Sequence, residues 1–81
     1  MSSMASVFTD HVAGEIRAEL ARRKLSQERL SELTGISQST LSRRLRTIPP
    51  PLPFDTDELQ RVADALDVHV TLFLPAPERV A

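Results

Sequence analysis

Within residues 38–46, QSTLSRRLR, stand Gln38, Ser39, Ser42 and Arg43, with Thr40, Arg44 and Arg46 among them and no carboxylate anywhere in the run. A carboxamide, several hydroxyls and guanidinium forks are the groups that hydrogen-bond base edges and phosphate oxygens. In a chain of which 26% is charged, with acids and bases nearly equal in number, an ordinary solvated segment would mix the two signs. Other chemistry finds less material. His11 and His69 are far apart, no glycine-rich phosphate loop is present, no ligand spacing suits a metal, and no serine has a histidine partner. With no cysteine, thiolate nucleophiles, thiolate metal sites and disulfides are excluded together. Neither an enzyme nor a cofactor, metal or small-molecule site is expected.

Those side chains need a helix held away from the body. Gly35 lies between two short amphipathic stretches, where the backbone must reverse and a positive φ suits glycine best. Before it, Ser26 can cap a helix that opens with Gln27, Glu28 and Arg29 and faces inward through Leu30 and Leu33. After it, Ser37 can cap a second helix over residues 37–47, anchored by Leu41, Leu45 and Ile48, while Ile36 plugs the angle between the two. At about 100° per residue, burying Leu41 and Leu45 turns Ser39 and Arg43 outward, with Ser42 and Arg46 on one flank and Thr40 on the other.

The run S-Q-E-R-L-S-E-L-T-G-I-S-Q-S-T-L-S-R-R-L resembles the helix-turn-helix of the lambda-repressor-like (Cro/repressor, XRE) DNA-binding domains, and the likeness extends over roughly residues 10 to 74. The resemblance implies that Gln27 binds a phosphate and braces the second helix, and that Gln38, Ser39, Ser42 and Arg43 read bases. Two positions depart from the family pattern: Arg44 stands where many members have an apolar residue, and Ser31 replaces a small alanine at the helix crossing.

The rest of the chain reads as support for this pair. Residues 1–8 carry little pattern and are expected to be flexible. Thr9 or Asp10 can cap a first helix running to about Lys24, with Val12, Ala13, Ile16 and Leu20 inside. Gly14 weakens that helix and suggests a close approach. Arg22, Arg23 and Lys24 complement the negative end of its dipole, and the same cluster suits DNA backbone. Residues 49–53, PPPLP, cannot be helical and are expected to form a stiff polyproline-like connector. Asp55 and Glu58 fit an acidic capping box, Phe54 and Leu59 a hydrophobic staple, and Leu59, Val62, Ala63 and Leu66 an inward stripe closed near Asp67 and Val68. Residues 70–74, VTLFL, alternate like a strand, whereas the resemblance implies a short helix. The expected fold is all-α, a compact bundle of four to five helices over residues 9–74, followed by a tail, 75–81.

The net charge of −1 is unevenly spread. Residues 17–46 hold eight Lys/Arg against three Glu, and the remainder two against eight, so one end of the molecule attracts phosphate. No apolar run approaches the roughly 20 residues of a membrane span, and the N-terminus lacks the pattern of a signal peptide, so a cytoplasmic protein is expected. The expected function is that of a sequence-specific regulator of transcription on double-stranded DNA, a repressor or Cro-like switch of a bacterial cell or phage-infected host. Its partner would be a pseudo-palindromic operator bound by a homodimer. In this reading Arg43 takes a guanine and Gln38 an adenine, and Gln27, Thr40, Arg44, Arg46, Arg23 and Lys24 hold phosphates. The alternative is a protein-interaction module of antitoxin or anti-repressor type that keeps the fold.

Overall fold

Polar N-caps, Ser26, Ser37 and Asp55, start three of the helices of this chain and a glycine, Gly35, closes one of them; a computed structural model describes residues 4–76. The order is α1 (Met4–Arg23), α2 (Gln27–Thr34), α3 (Gln38–Leu45), α4 (Thr56–Leu66) and a short 3-10 helix (Val70–Phe73). No strand occurs among the described residues, and the fold is all-α, as expected.

Helix α1 buries Val12, Ala13, Ile16 and Leu20, the face read from the sequence. It begins at Met4, ahead of the expected caps Thr9 and Asp10, so residues 4–8 are helical rather than an unpatterned lead-in. The stretch 4–9 contains neither glycine nor proline, and extending a helix already nucleated costs little per residue. Residues 1–3 lie outside the described residues. Gly14 marks no close approach: a Cβ built there meets its nearest atom, the guanidinium of Arg17, at an ordinary 3.6 Å. Gly14→Ala should therefore stabilise the domain by about 0.5–1 kcal/mol, measured as a shift of the urea midpoint at unchanged slope. A lower midpoint would mean that the packing around α1 tolerates no side chain at this position.

At the end of α1 the amides of Lys24 and Leu25 donate to the carbonyls of Ala21 and Leu20, a Schellman closure with Lys24 in the left-handed region at φ 53°. Helix α4 closes in the same way, with Asp67 at φ 55° and the amides of Asp67 and Val68 on Asp64 and Ala63. Its start is the expected capping box: Asp55 accepts from the Glu58 amide at 2.7 Å, and Glu58 accepts from the Asp55 amide at 3.0 Å.

Between α2 and α3 the chain turns at Gly35, φ 76°. The inner face of α2 differs from the one expected: Leu30 is buried with Thr34, and Leu33 is 45% exposed. Threonine can occupy the core because its hydroxyl donates to the Leu30 carbonyl at 2.8 Å and accepts from the Ile36 amide at 3.2 Å, so no polar group is stranded. Ser31, at the crossing, donates its hydroxyl to the Ile36 carbonyl and stitches the turn further.

Helix α3 stops at Leu45, two residues short of the expected end, and Ile48 is 92% exposed instead of anchored. A residue that precedes proline, as Ile48 precedes Pro49, is pushed out of the helical region, and Arg46 has already left it at ψ 162°. The proline-rich segment is not a plain spacer. It folds back so that the Leu52 amide donates to the Arg43 carbonyl at 3.0 Å. Residues 70–73 are helical, not extended, which seats Phe73 at 0% exposure in a core shared by Ile16, Leu30, Leu41, Leu45, Val62 and Leu66. A lone strand there would have left its backbone groups without a ladder.

Candidate nucleic-acid interface

The exposed side of α3 is built from its cap upward. Ser37 Oγ accepts from the Thr40 amide at 3.1 Å and shares a 2.8 Å hydrogen bond with the Thr40 hydroxyl, which fixes the first turn. Burial of Leu41 and Leu45 then sends Gln38, Ser39, Ser42 and Arg43 to solvent, all four exposed. Ser39, Ser42 and Arg43 are outward as the helical rotation requires, whereas Thr40 and Arg46, expected on the flanks, are half-buried; the exposed face bears no acid. Arg43 does not wave freely: its Nη2 donates to Ser39 Oγ at 3.2 Å and its Nε to the Ser39 carbonyl at 3.4 Å. The guanidinium is thus laid along the helix toward its N-terminal half.

The other basic residues divide. Arg44, expected on phosphate, is turned to the body, where it pairs with Glu58 at 3.2 Å and both side chains are mostly buried. The same Glu58 oxygen accepts the Asp55 amide, so one carboxylate ties α3 to the start of α4. The physical reason lies in the register, since Arg44 follows Arg43 by about 100° and so points at α4 rather than outward. Arg46, half-buried, donates from Nε to the Pro50 carbonyl at 3.0 Å. Arg22 and Arg23 both reach Glu19, at 2.7 and 3.4 Å. The hydrogen bond from Arg22 holds the Glu19 carboxyl below the usual carboxylate range, and that bond in turn raises the Arg22 guanidinium. Lys24 is exposed and has no ion pair among the described residues. Gln27 opens α2, half-exposed, one residue after the Ser26 cap, whose Oγ accepts from the Arg29 amide at 3.0 Å.

One contributor leaves no mark in the sequence. Arg17, half-buried on α1, donates from Nη1 to the carbonyl of Leu45 at 2.9 Å and to that of Arg46 at 3.4 Å. Nothing in its neighbourhood along the chain sets it apart from the other arginines, and only the packing of α1 against α3 brings it there.

What this arrangement can do is present hydrogen-bond donors and acceptors on the exposed face of a helix whose other face, through Leu41 and Leu45, is buried in the core. Among the described residues no group of His, Cys, Asp or Glu could hold a metal ion, and no helix is long and apolar enough to cross a membrane. Neither curated proteins nor solved structures give a match to the chain. Residues 15–71 match the family model of the Cro/C1-type helix-turn-helix DNA-binding domain, a span that contains α2, the Gly35 turn, α3 and α4. The fit of that model over most of the chain, to elements whose caps and turn are those just described, settles the family: the protein belongs to the Cro/C1-type helix-turn-helix DNA-binding domains.

Proposed function

We propose that the chain is a sequence-specific transcriptional regulator, a repressor or Cro-like switch, that lays α3 in the major groove of double-stranded DNA. The observation that carries this is the exposed, carboxylate-free face of Gln38, Ser39, Ser42 and Arg43. Arg43 takes the O6 and N7 of a guanine, Gln38 an adenine, and the two serines support them. Gln27, Thr40, Arg46, Arg23 and Lys24 hold phosphates on either side and set the register. Arg44 leaves that set and serves instead to brace α3 through Glu58. The unit spans residues 9–74 and works as a homodimer on a pseudo-palindromic operator, two copies of α3 about 34 Å apart, in the cytoplasm of a bacterial cell or phage-infected host.

Titration into random duplex at low and then moderate salt tests the electrostatic part: binding that salt abolishes is expected. Selection of bound sites from a random pool tests the rest, with two half-sites about one helical turn apart as the expected outcome. Absence of binding at low salt would favour a protein partner, for which the exposed acids Asp55, Asp57, Asp64 and Asp67 offer a surface of the opposite sign.

Lys24 gives a second test, because two effects of one substitution have opposite signs. Lys24→Gly removes the cost of a side chain at positive φ and, after the glycine's own entropy, should raise unfolding free energy by about 0.5–1 kcal/mol. At the same time affinity for random duplex should fall and its salt slope flatten by about one phosphate contact. A more stable protein with an unaltered slope would take Lys24 off the DNA backbone.

A further inference from the structure

The last turn of α3 is held by parts of the chain remote from it. Arg17 of α1 spans 28 and 29 positions to reach the carbonyls of Leu45 and Arg46. These carbonyls are among the final acceptors of the helix, which have no donor within it, and a cation there also opposes the dipole. The Leu52 amide takes the Arg43 carbonyl, and Arg44 pairs with Glu58 at the head of α4. Helix α3 is only eight residues long, too short to keep its own direction without such ties.

We infer that Arg17 is a positioning residue for base reading: from α1 it sets the angle at which α3 leaves the body, and so where Arg43 meets a base edge, without touching DNA itself. This rests on the reading of α3 as the base-contacting helix. Both bonds leave one nitrogen, Nη1, and the planar guanidinium fixes the directions of its two N–H groups, whereas those of an ammonium rotate. Arg43 supplies its carbonyl to Leu52 one turn from the Arg17 contacts, so its side chain moves with whatever Arg17 holds. Small errors in placing a contact group are costly, because a bidentate bond tolerates little displacement.

Two substitutions test it. Arg17→Met keeps the apolar stem and removes the Nη1 donor; Arg17→Lys keeps the charge and loses the planar head. Without DNA, amide hydrogen exchange in Arg17→Met should accelerate about tenfold at Arg44, Leu45 and Leu52 while α4 stays protected. Unchanged exchange at those amides would overturn the clamp. On DNA, the affinity of Arg17→Met for its selected site should fall by about tenfold, with random-duplex affinity and salt slope unaltered, and Arg17→Lys should lie between. A slope lower by about one would make Arg17 a phosphate ligand instead, and equal losses on selected and random sites would reduce it to a stability residue. Should Arg17→Met unfold, Arg17→Lys carries both readouts. If Arg43→Ala leaves the ratio of selected to random affinity unchanged, the base-reading role of α3 fails, and the exchange pattern alone then upholds or overturns the clamp.

Discussion

Phe73→Ala is expected to lose about 3–5 kcal/mol of stability, which approaches the whole stability of a domain this small. The ring is at 0% exposure in a core that also receives Ile16, Leu30 and Val62, and it enters from the 3-10 helix at the end of the described chain. Removing it leaves a cavity that short helices cannot collapse to fill without breaking their own contacts. Leu72, its neighbour, is 45% exposed, so Leu72→Ala should stay within about 0.5 kcal/mol of the parent. Thermal and urea unfolding of the two variants make the comparison. A mild effect at Phe73 would mean that α1 to α4 hold together without the closing segment.

Arg43→Ala carries the largest expected effect on binding, a loss of about 1–3 kcal/mol on the selected site, roughly 5- to 150-fold in affinity. Random duplex should be bound almost as before, and discrimination should relax at one base pair. Ser39→Ala should cost less on its own. Because Ser39 Oγ accepts from the Arg43 guanidinium at 3.2 Å, the two losses should not add: once Arg43 is gone, Ser39 has less left to support. Binding of the two single variants and the double variant to selected and random duplexes closes this cycle. Equal losses on the two duplexes for Arg43→Ala would place its guanidinium on phosphate. Additive losses would give Ser39 a base contact of its own.

Features of this molecule that pair groups a few positions apart were legible in the chain. The caps Ser26, Ser37 and Asp55, the box completed by Glu58 and the positive φ at Gly35 each depend on neighbours no more than about four residues away. The outward direction of Ser39 and Arg43 followed from the same kind of arithmetic, once Leu41 and Leu45 were placed inside. Where hydrophobicity alone picks the inner face it misleads: it points to Leu33, which is exposed, whereas Thr34 is buried because its hydroxyl finds both a donor and an acceptor within the turn. Helix α3 is shorter and α1 longer than the residue pattern alone implies, since propagation and termination depend on what meets the helix ends as much as on the residues in them.

By itself, then, the sequence determined the helix-turn-helix, its caps, its turn and the polar stripe on α3, because hydrogen bonds between near neighbours and a constant rotation per residue are properties of the local chain. Which arginine does what was decided only by the tertiary structure. Arg17, Arg43, Arg44 and Arg46 carry the same group and differ only in what lies within reach: carbonyls of α3 for Arg17, Ser39 for Arg43, Glu58 for Arg44 and the Pro50 carbonyl for Arg46. Reach of that kind is set by how α1, α4 and the proline-rich strap pack around α3. The partners of Arg17 and Arg44, 14 to 29 positions away, leave no periodic trace along the chain.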